Sequence, residues 1–494
     1  MRHLRRIIAL VSFAGYGLLP TAVRAERLEA EKAVYANCRV VSDSRYSGGT
    51  ALELTEDSAS ITFAYNAAER GKYTIYVGFD APYGKKEVNM TVNGGRNGFS
   101  VEGMGEVSAG SPVLHAGVNT VVITPSWPWF RIDYLRIEKS PPTSPFVLSP
   151  TPVDADATAA LQEMYSFLVG QFGKRTISGM MTGDMGSVSG DVTQQADVRA
   201  VCRAAGKTPA LVGFDFMETT GIHEDESYNR QYSSKVLQLA KDTYRRGGFP
   251  AFCWHWRDPS RKTNEFYTDR CAVRITDAMN ADGTWNTQST LYRYLIKDID
   301  AVADCFLALQ REGMACIFRP LHEASGGWFW WGREGARPFV SLYRLLFHEM
   351  VVVKGVHNVV WVWNADNAGE EWNPGDEYFD VISTDIYNGQ YDYSTGYARF
   401  DYLKKLTNSK KLIALSENGP IPDIDQEFDD EAVWSWWMPW YQTWNGNFVS
   451  KTSAAEWAKV MGDARCITLE SRSAGWPSYT SIFGGNVRSM EKFP

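Results

Sequence analysis

The 494-residue sequence lacks the motifs of several common enzyme classes. None of its seven cysteines forms a Cys-x-x-Cys pair, which argues against a zinc ribbon or a thiol redox centre. No P-loop occurs, and no strand-like run is followed by a glycine-rich phosphate fingerprint. The pair His322-Glu323 also lacks the second histidine of a zinc-protease motif. Sequence signals for nucleotide chemistry and for zinc-dependent proteolysis are therefore missing.

Positive charge and long apolar runs are also scarce. Fifty Lys and Arg stand against 58 Asp and Glu, so the net formal charge is −8. Such a chain repels phosphate groups, and we expect neither nucleic acid nor a membrane as partner. The long apolar run "IIALVSFAGYGLL" is too short to span a bilayer; it follows Arg2, Arg5 and Arg6 and precedes a small-residue site at Val23 to Ala25. Residues 1–25 are predicted to be a signal peptide, and the mature protein to be secreted.

The number of cysteines fits a secreted protein only in part. Secreted proteins commonly contain disulfide bonds, so we expect disulfides here. Because seven is an odd number, at least one thiol would stay unpaired, and the sequence cannot choose the pairing.

Two regions of different composition flank a proline-rich segment. Residues 140–152, "SPPTSPFVLSPTP", contain five prolines and are predicted to be a stiff linker. Residues 26–139 contain short alternating runs separated by Gly, Asn and Pro, which predict an all-β, jelly-roll-like sandwich. Residues 153–494 alternate strand-like and helical patterns, which is typical of an α/β domain with a parallel sheet.

The α/β region contains enough strand-like runs for a closed barrel. The eight runs are "KRTISGMMTG", "ALVGFDF", "FPAFCWHW", "ACIFRPLHE", "NVVWVWN", "FDVISTDIY", "KLIALSENG" and "WSWWMPWY". Eight βα units in about 340 residues predict a (β/α)8 TIM barrel with insertions. A doubly wound open sheet is the alternative.

Two glutamates occupy unusual positions in this pattern. Glu323 and Glu417 each follow a run of buried-type residues and each precede a glycine-containing turn. Burying a carboxylate is costly, so two at strand ends require a reason. Glycoside cleavage supplies one, because it needs a proton donor and a nucleophile or activated water. Alternatively, both glutamates form salt bridges to Arg319 or another base.

Tryptophan is concentrated in the same region. Sixteen of the 18 tryptophans follow position 250, and the stretch "GGWFWWG" places Trp328, Trp330 and Trp331 after a glycine turn. Sugar rings stack on indole faces, so we interpret this stretch as an open sugar-binding cleft. Core packing is the alternative for each single tryptophan.

The motifs "FRPLHEASGGWFWWG", "STDIYNG" and "ALSENGPIPD" resemble those of glycoside hydrolase family 26, best known for endo-β-1,4-mannanases. The resemblance implies a (β/α)8 barrel and a retaining double displacement that needs no cofactor. By motif position, Glu323 is similar to the family's acid/base and Glu417 to its nucleophile. The residues that the resemblance assigns to substrate binding are His255, His322, Trp328, Asp385 and Tyr387.

The amino-terminal region, with "RLEAEKAVYAN", "SGGTALEL" and "FRIDYLRIE", resembles a family 35 carbohydrate-binding module. The resemblance implies that Glu29, Glu31 and Asp133 hold a structural calcium, and carboxylate oxygens suit that ion. Trp127 and Trp129 either contact sugar or fill the sandwich.

We therefore expect a secreted, monomeric, retaining endo-β-1,4-mannanase that acts on plant-wall β-mannan, galactomannan and manno-oligosaccharides. One alternative keeps the barrel chemistry but cuts β-1,3-xylan or mixed-linkage β-glucan. The other is a catalytically inactive polysaccharide-binding protein, against which the presence of both glutamates argues.

Overall fold

The computed structural model describes residues 26–183, 190–441 and 448–471. The predicted signal peptide, residues 1–25, lies outside this part of the chain. Backbone contacts divide the chain into two compact units. One contains the described residues up to 88 together with 99–141, and the other contains 89–98 and the chain from 142 onward. Among the described helices, none has the length and apolar character needed to cross a membrane.

The amino-terminal region is all-β. Its strands are β1 (Glu26–Glu29), β2 (Val34–Ala36), β3 (Cys38–Ser42), β4 (Thr50–Leu54), β5 (Ser60–Ala67), β6 (Gly71–Val92), β7 (Gly95–Ser108), β8 (Val113–Leu114), β9 (Gly117–Pro125) and β10 (Phe130–Lys139). They pair in the order β2-β5-β9-β6-β10-β4-β3, with antiparallel neighbours. Alternate residues of β5 and β9, such as Phe63 and Val121, are buried, as expected for strands with one face on a core. The predicted all-β domain is confirmed.

The second unit is a closed barrel of parallel strands surrounded by helices. The barrel strands are β11 (Thr176–Met181), β12 (Leu211–Asp215), β13 (Phe249–Cys253), β14 (Cys316–Arg319), β15 (Val359–Asn364), β16 (Val381–Ile386), β17 (Leu412–Asn418) and β18 (Trp436–Pro439), and a short β19 (Cys466–Ile467) pairs with β11. The helices are α1 (Ala159–Gln171), α2 (Ala196–Ala205), α3 (Ser227–Arg245), α4 (Thr290–Gln310), α5 (Ala336–Phe347, continued by a π-helical turn His348–Val353), α6 (Tyr397–Leu406), α7 (Ile424–Asp429) and α8 (Ala454–Gly462).

Closure of the barrel decides between the two predicted architectures. Each strand from β12 to β18 pairs with the next, and β11 pairs with both β18 and β12. The (β/α)8 prediction is confirmed, and the open-sheet alternative is wrong. The strands β11 to β15 are buried along their whole length because helices cover the outside of the barrel. Helix α4, for example, buries Leu295, Ile299, Val302 and Phe306 along one face.

The proline-rich segment is attached to the barrel. Phe146 packs edge-on against Phe172, with ring centroids 4.8 Å apart. The backbone N–H of Val147 donates to the carbonyl oxygen of Ser409 at 2.9 Å. A truncated barrel that starts after this segment would therefore expose apolar surface.

All seven cysteines lie in the described part of the chain, and all are free thiols. The predicted disulfide bonds are therefore absent from the structure. Cys253 and Cys316 lie on neighbouring strands, but Cys253 is in register with Arg319, three residues beyond Cys316. Three residues of strand span roughly 10 Å, which exceeds the ~7 Å limit between the Cα atoms of a disulfide.

Candidate active site

Two glutamates from opposite sides of the barrel meet at its carboxyl end. Glu417 lies on β17, and Glu323 follows β14 after a short turn. One carboxylate oxygen from each of Glu323, Asp385 and Glu417 lies within 4.8 Å of the other two. Glu323 has a φ of 53°, which is uncommon for a residue with a side chain. Its backbone N–H donates to Asn364 Oδ1 at 2.7 Å, so strand β15 holds this turn in place.

Both oxygens of Glu417 accept hydrogen bonds. Arg319 donates to Oε1, and the Tyr387 hydroxyl donates to Oε2. Arg319 also donates to Asp385 Oδ2 at 3.0 Å, and the side chains of all three charged residues are at most 5% exposed. The carboxylate of Glu417 is therefore held in one orientation by a buried cation and a phenol.

Glu323 has a different electrostatic environment. Burial and then the nearby charge of Glu417 raise its pKa to about 7, while Arg319 and a hydrogen bond from Trp328 act in the opposite direction. The Trp328 indole N–H donates to Glu323 Oε2 at 2.8 Å. A carboxyl group with this pKa can both give and accept a proton near neutral pH.

Asp385 lies beside this pair. Asn364 Nδ2 donates to its Oδ1 at 3.1 Å, and Arg319 binds its other oxygen. Its side chain is only 2% exposed, and burial raises its pKa well above the usual value although Arg319 opposes this. The structure places Asp385, predicted to bind substrate, as a buried partner of Arg319.

Two predicted histidines contact one another at the same end of the barrel. His255 follows β13, and its Nδ1 lies 2.5 Å from Oδ2 of Asp215 on β12. His255 Nε2 lies 3.2 Å from His322 Nε2. Burial, Arg319 and His255 lower the pKa of His322 well below its usual value, so His322 is neutral.

Two of the exposed aromatic residues at this site are Trp328 and Tyr387, which are 42% and 45% exposed. The Trp328 ring lies directly over Gly326, because a Cβ at that glycine would be 2.0 Å from the indole. Glycine at 326 therefore permits the ring position that brings the indole N–H to Glu323.

The other two tryptophans of the "GGWFWWG" stretch do not line an open cleft. Trp330 and Trp331 are fully buried. The indole of Trp330 donates to the carbonyl oxygen of Trp256 at 2.7 Å, and that of Trp331 donates to the carbonyl oxygen of His322 at 2.8 Å. The open-cleft interpretation is wrong for both, since backbone acceptors satisfy their N–H groups inside the core.

Sequence reasoning missed two residues of this cluster, Asp215 and Asn364. Asp215 is the last residue of β12, one position before the end of the buried run "ALVGFDF", and Asn364 is the last residue of both β15 and "NVVWVWN". The rule that identified Glu323 and Glu417, a polar residue at the end of a buried strand, could have found both. The sequence predicts Arg319 only as a salt-bridge partner of the two glutamates.

Trp127 and Trp129 lie on the surface of the β-domain. They are 69% and 48% exposed, and Trp129 has a φ of 73°. The ring of Tyr83, also exposed, meets that of Trp129 edge-on at 6.5 Å. The rings therefore form an exposed aromatic surface and do not fill the core.

The three residues predicted to hold calcium share one property. Glu29 Oε2, Glu31 Oε2 and Asp133 Oδ1 are buried and, within the described residues, have no hydrogen-bond partner. Ser47 connects two of them, because its N–H donates to Asp133 Oδ2 and its hydroxyl to Glu29 Oε1. Burial raises the pKa of Asp133, and the charges of Glu29 and Glu31 add to this effect. Buried carboxylate oxygens without donors fit a hard cation such as calcium.

Comparisons with known proteins agree with this geometry. Residues 153–469 match glycosyl hydrolase family 26, and residues 26–140 match the family 35 carbohydrate-binding module. A mannan endo-1,4-β-mannosidase of Thermothelomyces thermophilus is 32% identical over 447 residues, which cover 86% of this chain and 87% of the relative. Mannan endo-1,4-β-mannosidase B of a Piromyces species is 33% identical and covers 80% of this chain, over 67% of its own length.

Solved structures show the same architecture. A GH26-CBM35 β-(1,4)-mannanase from Podospora anserina superposes with a TM-score of 0.62 at 27% identity, covering 92% of this chain and 99% of its own. A β-mannanase from a symbiotic protist of the termite Reticulitermes speratus, in complex with gluco-manno-oligosaccharide, has a TM-score of 0.61 at 34% identity and covers 68% of this chain and 100% of its own. The two-family resemblance is thus confirmed, and this chain belongs to glycosyl hydrolase family 26 and contains a family 35 carbohydrate-binding module.

Proposed function

We propose that this protein is a retaining endo-β-1,4-mannanase that hydrolyses β-mannan and galactomannan. The observation that carries the proposal is the pair Glu323 and Glu417, with carboxylate oxygens within 4.8 Å at the carboxyl end of a family 26 barrel. The names of the relatives, which are mannan endo-1,4-β-mannosidases, support mannan as the substrate.

The spacing of the carboxyl groups supports retention of configuration. Retaining glycosidases place their two carboxyl groups about 5–5.5 Å apart, which leaves no room for water between nucleophile and sugar. Glu417 attacks the anomeric carbon while Glu323 protonates the leaving oxygen, which forms a glycosyl-enzyme. Glu323 then removes a proton from water, and that water hydrolyses the intermediate. Arg319 and Tyr387 hold the Glu417 oxygens in place for the attack.

One experiment tests whether Glu323 acts as the acid/base, and not merely whether activity depends on it. A dinitrophenolate leaving group departs without a proton, so Glu323→Ala should still form the glycosyl-enzyme from a dinitrophenyl β-mannoside. Hydrolysis of the intermediate should be slow, which gives a burst of phenolate and a very low KM. Azide should restore turnover and yield a β-glycosyl azide.

Glu417→Ala is the matched control, because without the nucleophile no intermediate can form. On mannan itself, Glu323→Ala should lose ~10²–10⁴-fold in kcat/KM. If Glu323→Ala is equally inactive on both substrates and azide has no effect, Glu323 is not the acid/base.

Two further measurements test the stereochemistry of the hydrolysis and the identity of the polymer that the protein cleaves. Early-time NMR of the cleavage products should show the β-anomer first, and an initial α-anomer would contradict the assignment of Glu417 as nucleophile. Reducing-sugar release should be compared on mannan, galactomannan, β-1,3-xylan and mixed-linkage β-glucan. The fastest rate on xylan or glucan would favour the alternative substrates, and no release from any polymer would favour the inactive binding protein.

We propose that the β-domain anchors the enzyme on insoluble mannan through Trp127 and Trp129. Their exposure supports this role, because an indole face in solvent can stack on sugar rings. The double variant Trp127→Ala/Trp129→Ala should lose adsorption to insoluble mannan and keep its turnover on soluble oligosaccharides. Unchanged adsorption would exclude the two rings.

We also propose that Glu29, Glu31 and Asp133 hold a structural calcium in the β-domain. Removal of calcium should lower the melting temperature of the β-domain, and Asp133→Asn should abolish the difference between calcium-loaded and calcium-free protein. Equal melting temperatures with and without calcium in the unsubstituted protein would exclude the ion.

Secretion with removal of residues 1–25, and action as a monomer, complete the proposal. The amino-terminal sequence of protein recovered from the growth medium would show the first, and light scattering the second.

A further inference from the structure

We infer that a cavity beside Tyr387 is a sugar-binding subsite, in which Arg96 helps to hold one hexose unit of the substrate. The cavity has a volume of about 500 Å³, which is within the usual range of small-molecule sites. All of its lining residues belong to the compact unit that contains the barrel. The identity of the sugar rests on the proposed function.

Tyr387 connects the cavity to the proposed nucleophile. It lines the cavity, and its hydroxyl donates to Glu417 Oε2. Tyr387 is 45% exposed, and Tyr402 on another part of the wall is 37% exposed, so the cavity is open to solvent. A polysaccharide that binds across Glu323 and Glu417 can therefore extend into it.

Two segments of the chain form the walls of the cavity. One is segment 89–98, which joins β6 to β7, and the other runs from the end of β16 into α6. The backbone N–H of Arg96 donates to Ser394 Oγ at 3.1 Å, and its Nη1 donates to Asp392 Oδ2 at 3.0 Å. The first bond does not involve the Arg96 side chain, so it keeps the two walls together when that side chain is replaced.

Arg96 keeps hydrogen-bond donors for a ligand. A guanidinium group has five N–H donors. In the described part of the chain, those of Arg96 bind Asp392 Oδ2 and, at 2.8 Å, Asn89 Oδ1, and the side chain is 45% exposed. Arg399 of α6 lines the same cavity, and its guanidinium donates to the carbonyl oxygen of Asp366 at 2.7 Å. Both arginines can therefore donate further hydrogen bonds to a bound molecule.

The lining groups suit a neutral ligand that is rich in hydroxyl groups. Asp392 offsets the charge of one of the two arginines. The other polar lining residues are uncharged and include Asn89, Asn97, Asn388, Ser394, Tyr387 and Tyr402. A sugar hydroxyl accepts a hydrogen bond from a guanidinium and donates one to an amide or carboxylate oxygen, and exposed tyrosine rings offer apolar faces to the ring of a sugar. The ligand is therefore a hexose, either a mannose unit of the main chain or a galactose branch.

Arg96→Met tests the subsite by comparing short and long substrates of the full-length chain. The substitution removes the guanidinium donors and keeps a long unbranched side chain and the backbone bond to Ser394. A dinitrophenyl β-mannoside occupies only the catalytic pair, whereas galactomannan extends beyond it. On galactomannan, kcat/KM should fall roughly tenfold, the effect of one hydrogen bond to a charged group. The loss on the aryl mannoside should be far smaller.

Unbranched mannan distinguishes the two sources of the hexose. A similar loss on unbranched mannan and on galactomannan identifies a mannose unit of the main chain. A loss on galactomannan alone identifies a galactose branch.

Arg245→Met is the matched control. Arg245 ends α3, where the chain enters β13 at the amino end of the barrel. It is 49% exposed and pairs with Glu312 at 2.8 Å, much as Arg96 is 45% exposed and pairs with Asp392 at 3.0 Å. Because exposed ion pairs contribute little to stability, both variants should fold, and Arg245→Met should keep the kcat/KM of the unsubstituted protein on every substrate. Asn388→Ala, which removes an amide from the other wall, should reproduce the pattern of Arg96→Met.

Two kinetic outcomes would overturn the subsite. One is equal kcat/KM of Arg96→Met and the unsubstituted protein on both polymers. The other is an equal loss on galactomannan and on the aryl mannoside, because the effect would then arise at the catalytic pair.

A binding measurement separates the subsite from the proposed function. Calorimetric titration of Glu417→Ala, with and without Arg96→Met, with linear and galactosylated manno-oligosaccharides measures affinity without cleavage. Arg96→Met should raise the Kd roughly tenfold for at least one of the two, and equal Kd values for both would overturn the subsite. A raised Kd together with no cleavage by the unsubstituted protein would refute only the proposed function.

Discussion

Glu427, a buried acid outside the proposed catalytic pair, makes the stability of this protein depend on pH. It lies on α7, is fully buried, and its Oε1 accepts the backbone N–H of Trp434 at 2.9 Å. Burial raises its pKa from 4.5 to about 8, although the hydrogen bond from Trp434 opposes this. At neutral pH, Glu427 is therefore protonated in the folded protein and ionised in the unfolded chain.

The sign and size of the effect follow from linkage. Because the folded pKa is the higher one, the stabilising contribution is complete below pH 4.5 and is lost as the pH rises to about 8. At pH 7 the unfolded chain gains roughly 3 kcal/mol from ionisation, at about 1.4 kcal/mol per pKa unit. Glu427→Gln keeps an oxygen for Trp434 and cannot ionise, so it removes this loss.

We expect Glu427→Gln to have nearly unchanged stability at pH 4.5 and to be more stable than the unsubstituted protein at pH 7 by up to roughly 3 kcal/mol. Urea-induced unfolding, followed at a series of pH values between 4.5 and 8, measures the difference. Glu163→Gln, at an exposed position of α1, is the control and should give a pH-independent difference. A constant difference for Glu427→Gln across this pH range would refute the reasoning.

Three predictions concern Glu323, the proposed acid/base, and its neighbours. Trp328→Phe removes the N–H that lowers the Glu323 pKa, so this pKa should rise above about 7. The alkaline limb of the plot of kcat/KM against pH should then shift to higher pH, and an unshifted limb would contradict the prediction. Gly326→Ala places a Cβ 2.0 Å from the Trp328 ring and should shift the limb in the same direction, whereas Gly170→Ala, with open space around it, should not. Arg319→Met removes the cation that pairs with the buried carboxylates of Asp385 and Glu417, so urea unfolding should show a loss of about 3–5 kcal/mol in the free energy of unfolding. The stability of Arg319→Lys should lie between those of Arg319→Met and the unsubstituted protein. Equal stability of all three proteins would show that the cation is dispensable.

The architecture could be predicted because its signals are local. Each barrel strand is a short apolar run bounded by turn residues, and all eight runs became strands of the barrel. A polar residue at the end of such a run must lie at the carboxyl face, and this rule predicts the positions of Glu323 and Glu417. The same reasoning applies to Asp215, but an isolated aspartate at a strand end has no predicted partner until the fold brings His255 beside it.

Other features depend on contacts that sequence does not show. Trp330 and Trp331 are buried because carbonyl groups of Trp256 and His322 accept their N–H groups, and no local pattern reveals such acceptors. For Arg319, the salt-bridge interpretation and a role in positioning the proposed nucleophile are compatible. It forms the salt bridge considered as an alternative to catalysis, and through that bridge it orients the proposed nucleophile.

The burial of so many indoles has a consequence for spectroscopy. Ten of the described tryptophans are fully buried, whereas Trp127, Trp129 and Trp328 are exposed. The intrinsic fluorescence of the folded protein should therefore come mainly from shielded rings and respond strongly to unfolding. A soluble quencher such as acrylamide should reach the three exposed rings far more readily than the buried ones. A manno-oligosaccharide that protects Trp328 and an insoluble mannan that protects Trp127 and Trp129 would then report occupancy of the cleft and of the module separately, in one protein without an attached dye.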